Sequence, residues 1–187
     1  MAVDRERVEA AVRELLATIG DDPAREGLAE TPRRVAQAYA EYFAGVGADA
    51  TAHLAESLEG ESGEMVLLRD IEFRSMCEHH LLPFTGVAHV AYLPGERIVG
   101  LGRIPAVVDT IASRPQIQER LTDEIADALV DGLEPRGVLV VVEAGHGCVA
   151  ARGARQAKSS TVTVSSRGRL AEPIERAEIM ALIGERR

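Results

Sequence analysis

The residue pattern points to an α+β domain: a four-stranded antiparallel sheet with two helices on one face, preceded by a helical arm. Three features of the chain carry this. Apolar runs bounded by turn residues at 65–74, 87–93, 138–142 and 161–164 read as strands. Apolar residues recur at helical spacing over 105–113 and 115–133. These helices fall between the second and third strands, and the order strand, strand, helix, helix, strand, strand places both on one side of an antiparallel sheet. At 187 residues, 46% hydrophobic and 27% charged, the chain is long enough for one domain with a sizeable core. With no Trp, three Tyr and three Phe, that core must be built from Val, Ile, Leu and Ala.

Taken in order, Asp4 precedes an apolar stripe of Val8, Val12, Leu15, Leu16 and Ile19 that ends at Gly20-Asp21-Asp22-Pro23, an amphipathic helix. Glu30-Thr31-Pro32 offers an N-cap followed by proline at the first helical position. Val35, Ala38, Tyr39, Tyr42 and Phe43 form the buried face of this second helix, and Gly45 ends it. Arg33 and Arg34 sit in its first turn, where cations oppose the helix dipole unless solvent or a bound anion offsets them. Residues 46–63, rich in Gly, Ala, Ser and Glu, read as a loop or short polar helix, so 1–63 is expected to form an arm and 64–187 the body. The strand at 87–93 follows Gly86 and turns at Pro94-Gly95, and His89 within it reads as a satisfied sheet residue. Ile104, Val107, Val108 and Ile111 point inward from the first body helix, and Ile117, Leu121, Ile125 and Leu129 from the second. The run 138–142 is a buried strand that delivers His146 and Cys148 at its end, and 174–183 closes the chain as a helix. A small sheet with one face and two edges uncovered predicts a homo-oligomer.

Charge and composition exclude several classes. A net charge of −9 argues against a nucleic-acid binder, and scarce aromatics argue against base stacking. Between Arg136 and Arg169, however, six basic residues face one acid, Glu143, which leaves room for a local basic pocket and an anionic small molecule. There is no charged-apolar-cleavage pattern at the start and no apolar run of membrane length, so no membrane association and a cytoplasmic location are expected. In that compartment thiols stay reduced, and two cysteines near histidines read as metal ligands before they read as a disulfide.

The chemistry concentrates in Arg74-Ser75-Met76-Cys77-Glu78-His79-His80-Leu81-Leu82-Pro83, which gathers two of the five histidines and one of two cysteines. The other cysteine lies in His146-Gly147-Cys148. Thiolate and imidazole are the preferred donors for Zn²⁺, and a catalytic zinc takes three protein ligands and keeps a fourth position for water. Cys77, one of the adjacent histidines and Cys148 would make such a set. A structural clasp would need a fourth ligand, for which Glu78 and His79 are candidates. The zinc deaminase signature is absent, because no Pro-Cys-x-x-Cys segment occurs.

The segments Arg25-Glu-Gly-Leu28, Thr31-Pro-Arg-Arg-Val35, Ser75-Met-Cys-Glu-His-His-Leu-Leu-Pro83, Arg114-Pro-Gln-Ile-Gln-Glu-Arg-Leu121, His146-Gly-Cys148, Ala151-Arg-Gly153 and Ser160-Thr-Val-Thr163 together closely resemble GTP cyclohydrolase I, in register over nearly the whole chain. The resemblance implies the tunnelling fold, a homodecamer of two pentameric rings, and a zinc enzyme that opens the imidazole ring of GTP. Such an enzyme releases formate and recloses the ring as 7,8-dihydroneopterin triphosphate. By the same resemblance Cys77, His80 and Cys148 are the zinc ligands, while His79 and His146 are the catalytic histidines. Glu119 grips the guanine N–H donors, with Gln118 as its neighbour in the pocket. Histidine suits a sequence of proton transfers because it titrates near neutral pH. A catalytically silent assembly subunit would have no physical reason to keep this acid-base pair beside an open zinc.

The departures from the family pattern cluster. Where Gly-Leu-Ser-Lys followed by arginine is common, this chain has Gly100-Leu101-Gly102-Arg103 and then Ala106, and Gln37 stands where a lysine is frequent. All four positions belong to the family's ribose-triphosphate site. Arg34, Arg103 and Arg152 remain as phosphate ligands, with Lys158 and Arg155 nearby in sequence. Zinc chemistry and guanine recognition thus look complete while triphosphate recognition looks thinned, which raises the alternative of a guanine substrate with fewer phosphates.

Overall fold

The structure is a computed structural model that describes residues 3–59 and 63–185. In chain order its elements are helices α1 (Arg5–Thr18) and α2 (Thr31–Tyr42), strands β1 (Leu58–Glu59), β2 (Val66–Cys77), β3 (Pro83–Leu93) and β4 (Arg97–Ile98), helix α3 (Arg103–Ala112), strand β5 (Pro115–Gln116), helix α4 (Gln118–Leu133), strand β6 (Gly137–His146), the single turn α5 (Gly147–Ala150), strand β7 (Thr161–Gly168) and helix α6 (Pro173–Gly184). The main sheet runs β5-β2-β3-β6-β7. Its four long strands are antiparallel neighbours, as expected, with α3 and α4 between the second and third. The fifth strand was not expected. Pro115 and Gln116 pair in parallel with Met76 and Cys77, so the helix expected from 115 begins only at Gln118. Pro115 opens an edge strand here, where its missing N–H costs no ladder bond.

One irregularity decides which way the chemistry faces. Between Leu68 and Ile71 the β2–β3 register shifts, with Asp70 at φ 56°. Leu68 before the shift and Ile71, Phe73 and Cys77 after it all pack on the helix side. Without that bulge, strict alternation would turn Cys77 to the opposite face. The Asp70 N–H, freed from the ladder, donates to Nδ1 of buried His89 at 3.2 Å. His89 is thus the satisfied sheet residue expected, with a structural task.

The helix-side core holds Ile104, Val107, Val108, Leu121, Ile125 and Leu129 against Val90, Tyr92, Val138, Val140 and Val142. Each of these side chains is fully buried, and each contributes about 1.5–3 kcal/mol. Ile117 is only partly buried, since it precedes the helix. The second face is not bare. Ala91, Leu139 and Val141 pack there against Leu170 and against Ile179 of α6. The chain's own last helix therefore covers part of the face that was expected to need a partner.

The arm is helical as expected. Asp4 caps α1 by accepting from Arg7 N–H at 3.0 Å, yet α1 buries no residue, and Leu15 and Ile19 stay exposed. In α2 the buried residues are Pro32 and Ala36, while Ala38, expected inside, is exposed. Arg74 docks α2 on the body, its guanidinium 5.3 Å over the Tyr42 ring and 3.5 Å from Glu41. Within 46–59 a 3₁₀ turn, Ala50–Leu54, buries Leu54 completely in the helix-side core.

Candidate metal centre and acid-base site

Three elements converge at one end of the sheet: the β2–β3 turn, the start of α4 and the β6–α5 junction. The turn is closed by its own backbone, with Cys77 N–H donating to Leu82 O at 2.9 Å, Leu81 N–H to Cys77 O at 2.8 Å, and Leu81 at φ 49°. It is also tied to β5 and α4. Glu78 N–H donates to Gln116 O at 3.0 Å, and the Glu78 carboxylate pairs with Arg120. Buried Gln116 accepts from Arg120 Nε at 2.9 Å and donates to Glu124 at 2.8 Å. The hydrogen bond from Arg120 holds the Glu78 carboxyl below its ordinary range. This anchoring role makes Glu78 a poor candidate for the fourth ligand considered above.

The turn and α5 bring Cys77, His80 and Cys148 together, their donor atoms all within 4.8 Å of one another, and Cys77 Sγ lies 3.8 Å from His80 Nδ1. Tetrahedral zinc with Zn–S near 2.3 Å and Zn–N near 2.0 Å sets its donors roughly 3.4–3.8 Å apart, so the donor set fits that ion with small adjustments. Cys77 is buried, Cys148 half-buried and His80 exposed. Burial pushes the Cys148 thiol up, and the neighbouring Cys77 adds to the effect. A divalent cation would reverse that by stabilising both thiolates. Gly147 approaches Pro83 so closely that a Cβ would lie 2.7 Å from its carbonyl oxygen. Close packing against Pro83 is therefore what glycine provides there.

His146 ends β6 opposite Phe84 and stacks on its ring, centroids 4.8 Å apart and planes 11° from parallel. Its Nε2 lies 2.7 Å from Gln118 Oε1. Desolvation lowers its pKa, and the Glu119 carboxylate partly opposes this. His79 is exposed on the turn, its ring 6.3 Å from that of His80 and its Nε2 3.8 Å from Glu78. Glu119, in the first turn of α4, and Arg152, whose charge is felt at Cys148, complete the constellation in this chain.

Arg103 stands apart from it. Arg103 begins α3 and pairs with Glu56, whereas the other end of that helix meets β2 through the Ser75 hydroxyl donating to Ala112 O at 2.7 Å. Nine residues of helical rise, about 13 Å, separate the two ends. Arg34 is exposed on α2 and makes no ion pair among the described residues, while Arg33 pairs with Glu30 at 2.8 Å. The groups that sequence reading missed are Arg120, Phe84, Thr122 and Thr163. Only Arg120 had a local signal, its place in Gln118-Glu119-Arg120.

Fold and site together define an α+β protein with a Cys-His-Cys cluster compatible with a metal ion, beside two further histidines and a glutamate. A family model described as GTP cyclohydrolase I matches residues 8–184. The chain is 63% identical over 183 residues to GTP cyclohydrolase 1 of Leifsonia xyli subsp. xyli, covering 97% of this chain and 96% of that one. To GTP cyclohydrolase 1 of Carboxydothermus hydrogenoformans it is 53% identical over 184 residues, again 97% and 96%. Among solved structures, the apo form of an archaeosine synthase QueF-Like aligns with TM-score 0.48 and 18% identity over 58% of this chain and 97% of that chain. The chain belongs to the GTP cyclohydrolase I family, and its strand-strand-helix-helix-strand-strand body is the tunnelling fold.

Proposed function

We propose that this chain is a zinc-dependent GTP cyclohydrolase I that opens the imidazole ring of GTP, releases formate and recloses the product as 7,8-dihydroneopterin triphosphate. The observation that carries this is the Cys77, His80 and Cys148 donor set lying beside His146 and Glu119 in a family member. The ion, when bound, supplies Lewis-acid activation of water for attack on carbon 8 of the purine. Protein groups do the rest. Glu119 accepts the guanine N–H donors through two oxygens. His146 delivers the proton to nitrogen 7. A desolvated imidazolium is a stronger acid than one in water, which suits a donor to a weakly basic ring nitrogen, and Glu119 keeps the proton from being excluded altogether. His79, exposed on the turn, serves the transfers on the ribose side. Arg152 of one chain, with Arg34 and Arg103 supplied by neighbouring chains, binds the triphosphate. The separation of Arg103 from the metal set supports a shared pocket, as in the decamer of two pentameric rings that we propose. No helix of the described residues is long and apolar enough to cross a membrane, consistent with a cytoplasmic enzyme.

A second reading, the same ring opening on a guanine compound with fewer phosphates, is favoured by Ala106 and by the pairing of Arg103 with Glu56. One experiment tests both. The metal-loaded protein is incubated with GTP, GDP, GMP and guanosine while formate and pterin fluorescence are followed. Formate and pterin from GTP at the highest kcat/KM support the main reading. A higher kcat/KM for GDP or GMP replaces it with the second, and no formate from any of the four overturns both.

A further inference from the structure

We propose that Gln118 is a positioning residue that locks His146 in the Nε2–H tautomer, leaving Nδ1 as the only ring nitrogen able to exchange a proton with substrate. Gln118 is 2% exposed, at the first position of α4. Its side-chain nitrogen lies 3.0 Å from Val142 O, 2.9 Å from Thr161 O and 3.2 Å from Thr163 Oγ1. Two of these are backbone carbonyls, which only accept, so the nitrogen end must face them. Turning the amide over would set its oxygen against both carbonyls in a buried site. The amide orientation is therefore forced by neighbours other than His146.

The hydroxyls close the circuit in one direction. Thr122 Oγ1 lies 2.7 Å from Gln118 O and donates to it, which leaves Thr163 as donor to Thr122 across 2.6 Å. Thr163 Oγ1 then has its lone pairs free to accept from Gln118. With the amide so fixed, its oxygen faces His146 Nε2 at 2.7 Å, and an oxygen without hydrogen demands a donor there. Nε2 must carry the hydrogen. Phe84, stacked on the ring, fixes its plane and hinders the rotation that would present Nε2 elsewhere. Burial and full engagement also leave Gln118 no reach to a substrate, so its place beside Glu119 in sequence is not a second guanine contact. The lock stands on geometry alone, and only the role of Nδ1 in proton exchange rests on the function proposed above.

The test uses full-length, metal-loaded protein labelled with ¹⁵N-histidine, with the His146 signals assigned by their loss in His146→Ala. Wild type is expected to show a pyrrole-type Nε2 bearing a slowly exchanging proton and a pyridine-type Nδ1. A protonated Nδ1 with bare Nε2, or a rapidly exchanging mixture, overturns the lock. In Gln118→Met the slow Nε2 proton should vanish and kcat for formate release fall at least about tenfold, the size expected when one hydrogen bond no longer fixes the ring. KM and metal content should stay unchanged. A raised KM with unchanged kcat would mark a substrate contact and overturn the proposal, and a merely structural glutamine would lower the melting temperature without moving the ¹⁵N signature. If Gln118→Met fails to fold, the wild-type spectrum still decides. Failure of the proton-transfer role is told apart by His146→Ala: normal turnover there, with an Nε2–H wild-type spectrum, keeps the lock and removes the role.

Discussion

His146 sits between two opposed influences, burial that disfavours its charge and Glu119 that favours it. Its task arises only when the ring begins to open, so His146→Ala should retain metal and nucleotide binding while formate release is abolished. Cys148→Ala should behave oppositely, losing about one metal equivalent per chain, and metal analysis beside a formate assay separates the two. Asp123 illustrates a titrating group away from the site. Donation from the Ser165 hydroxyl at 2.6 Å, then the Arg167 guanidinium, hold its carboxyl below the ordinary 3.8. A depressed carboxyl stabilises the fold above its unfolded pKa and loses that contribution as pH falls through the folded value. The stability gap between wild type and Asp123→Asn should therefore be full at neutral pH and close progressively below 3.8, as urea denaturation across that range would show. A gap that persisted unchanged in acid would exclude the ionised carboxylate as its source. Of the residues at the site, Cys77, His79, His80, His146 and Cys148 were legible in the chain because donor chemistry names them wherever they fall. Phe84, Thr122 and Thr163 were not, because what they do depends on strand register and on a helix start that no local pattern shows.

The bulge in β2 links an element's geometry to the metal centre. One extra residue at Asp70 lets Leu68 and Cys77 share a face although nine positions separate them. His89→Leu would leave the Asp70 N–H without the Nδ1 acceptor, at a cost of about 1–3 kcal/mol. Loosened register should also weaken metal binding, so denaturation and zinc competition with a chromophoric chelator should shift together. Unaltered zinc affinity in a clearly destabilised variant would show that the bulge holds stability alone. Strand and helix existence was readable from periodicity, and the order of elements followed. Alternation read as an unbroken strand hid the bulge, since charged and apolar residues already interleave from Arg69 to Arg74 and one extra residue leaves no mark in that pattern. The helix start at 115 failed for a related reason: proline signals a first turn or an edge strand equally well, and pairing with Met76 and Cys77 settled which.

For the molecule as a whole, the assembly proposed above would cover the exposed Leu15 of α1 and Ile19 at its C-terminal end and would complete the site from which Arg103 is split. Ile19→Glu should shift light-scattering mass downward and reduce turnover while each chain keeps its zinc. Full activity in a monodisperse monomer would contradict the shared pocket.

The same long-range view governs the phosphate end. A chain of net charge −9 repels a polyanion, so capture of a triphosphate depends on local arginines. Arg103 is already paired with Glu56, and one turn further along α3 stands Ala106, half-buried, where the family commonly carries arginine. A charge-assisted contact contributes about 1.5–3 kcal/mol when well shielded, and an exposed one less. Ala106→Arg should therefore lower the Michaelis constant for GTP several-fold and that for GMP hardly at all, because only the longer phosphate chain reaches the added guanidinium. The gain should shrink as salt rises and the screening length falls towards a few ångströms. kcat should not change, since nothing at the metal donors or His146 is touched. An Ala106→Arg protein with unchanged preference among GTP, GDP and GMP at low salt would mean that Arg155 or Lys158 of the basic segment already supplies the missing charge, and the arginine at 106 would then be redundant in this chain.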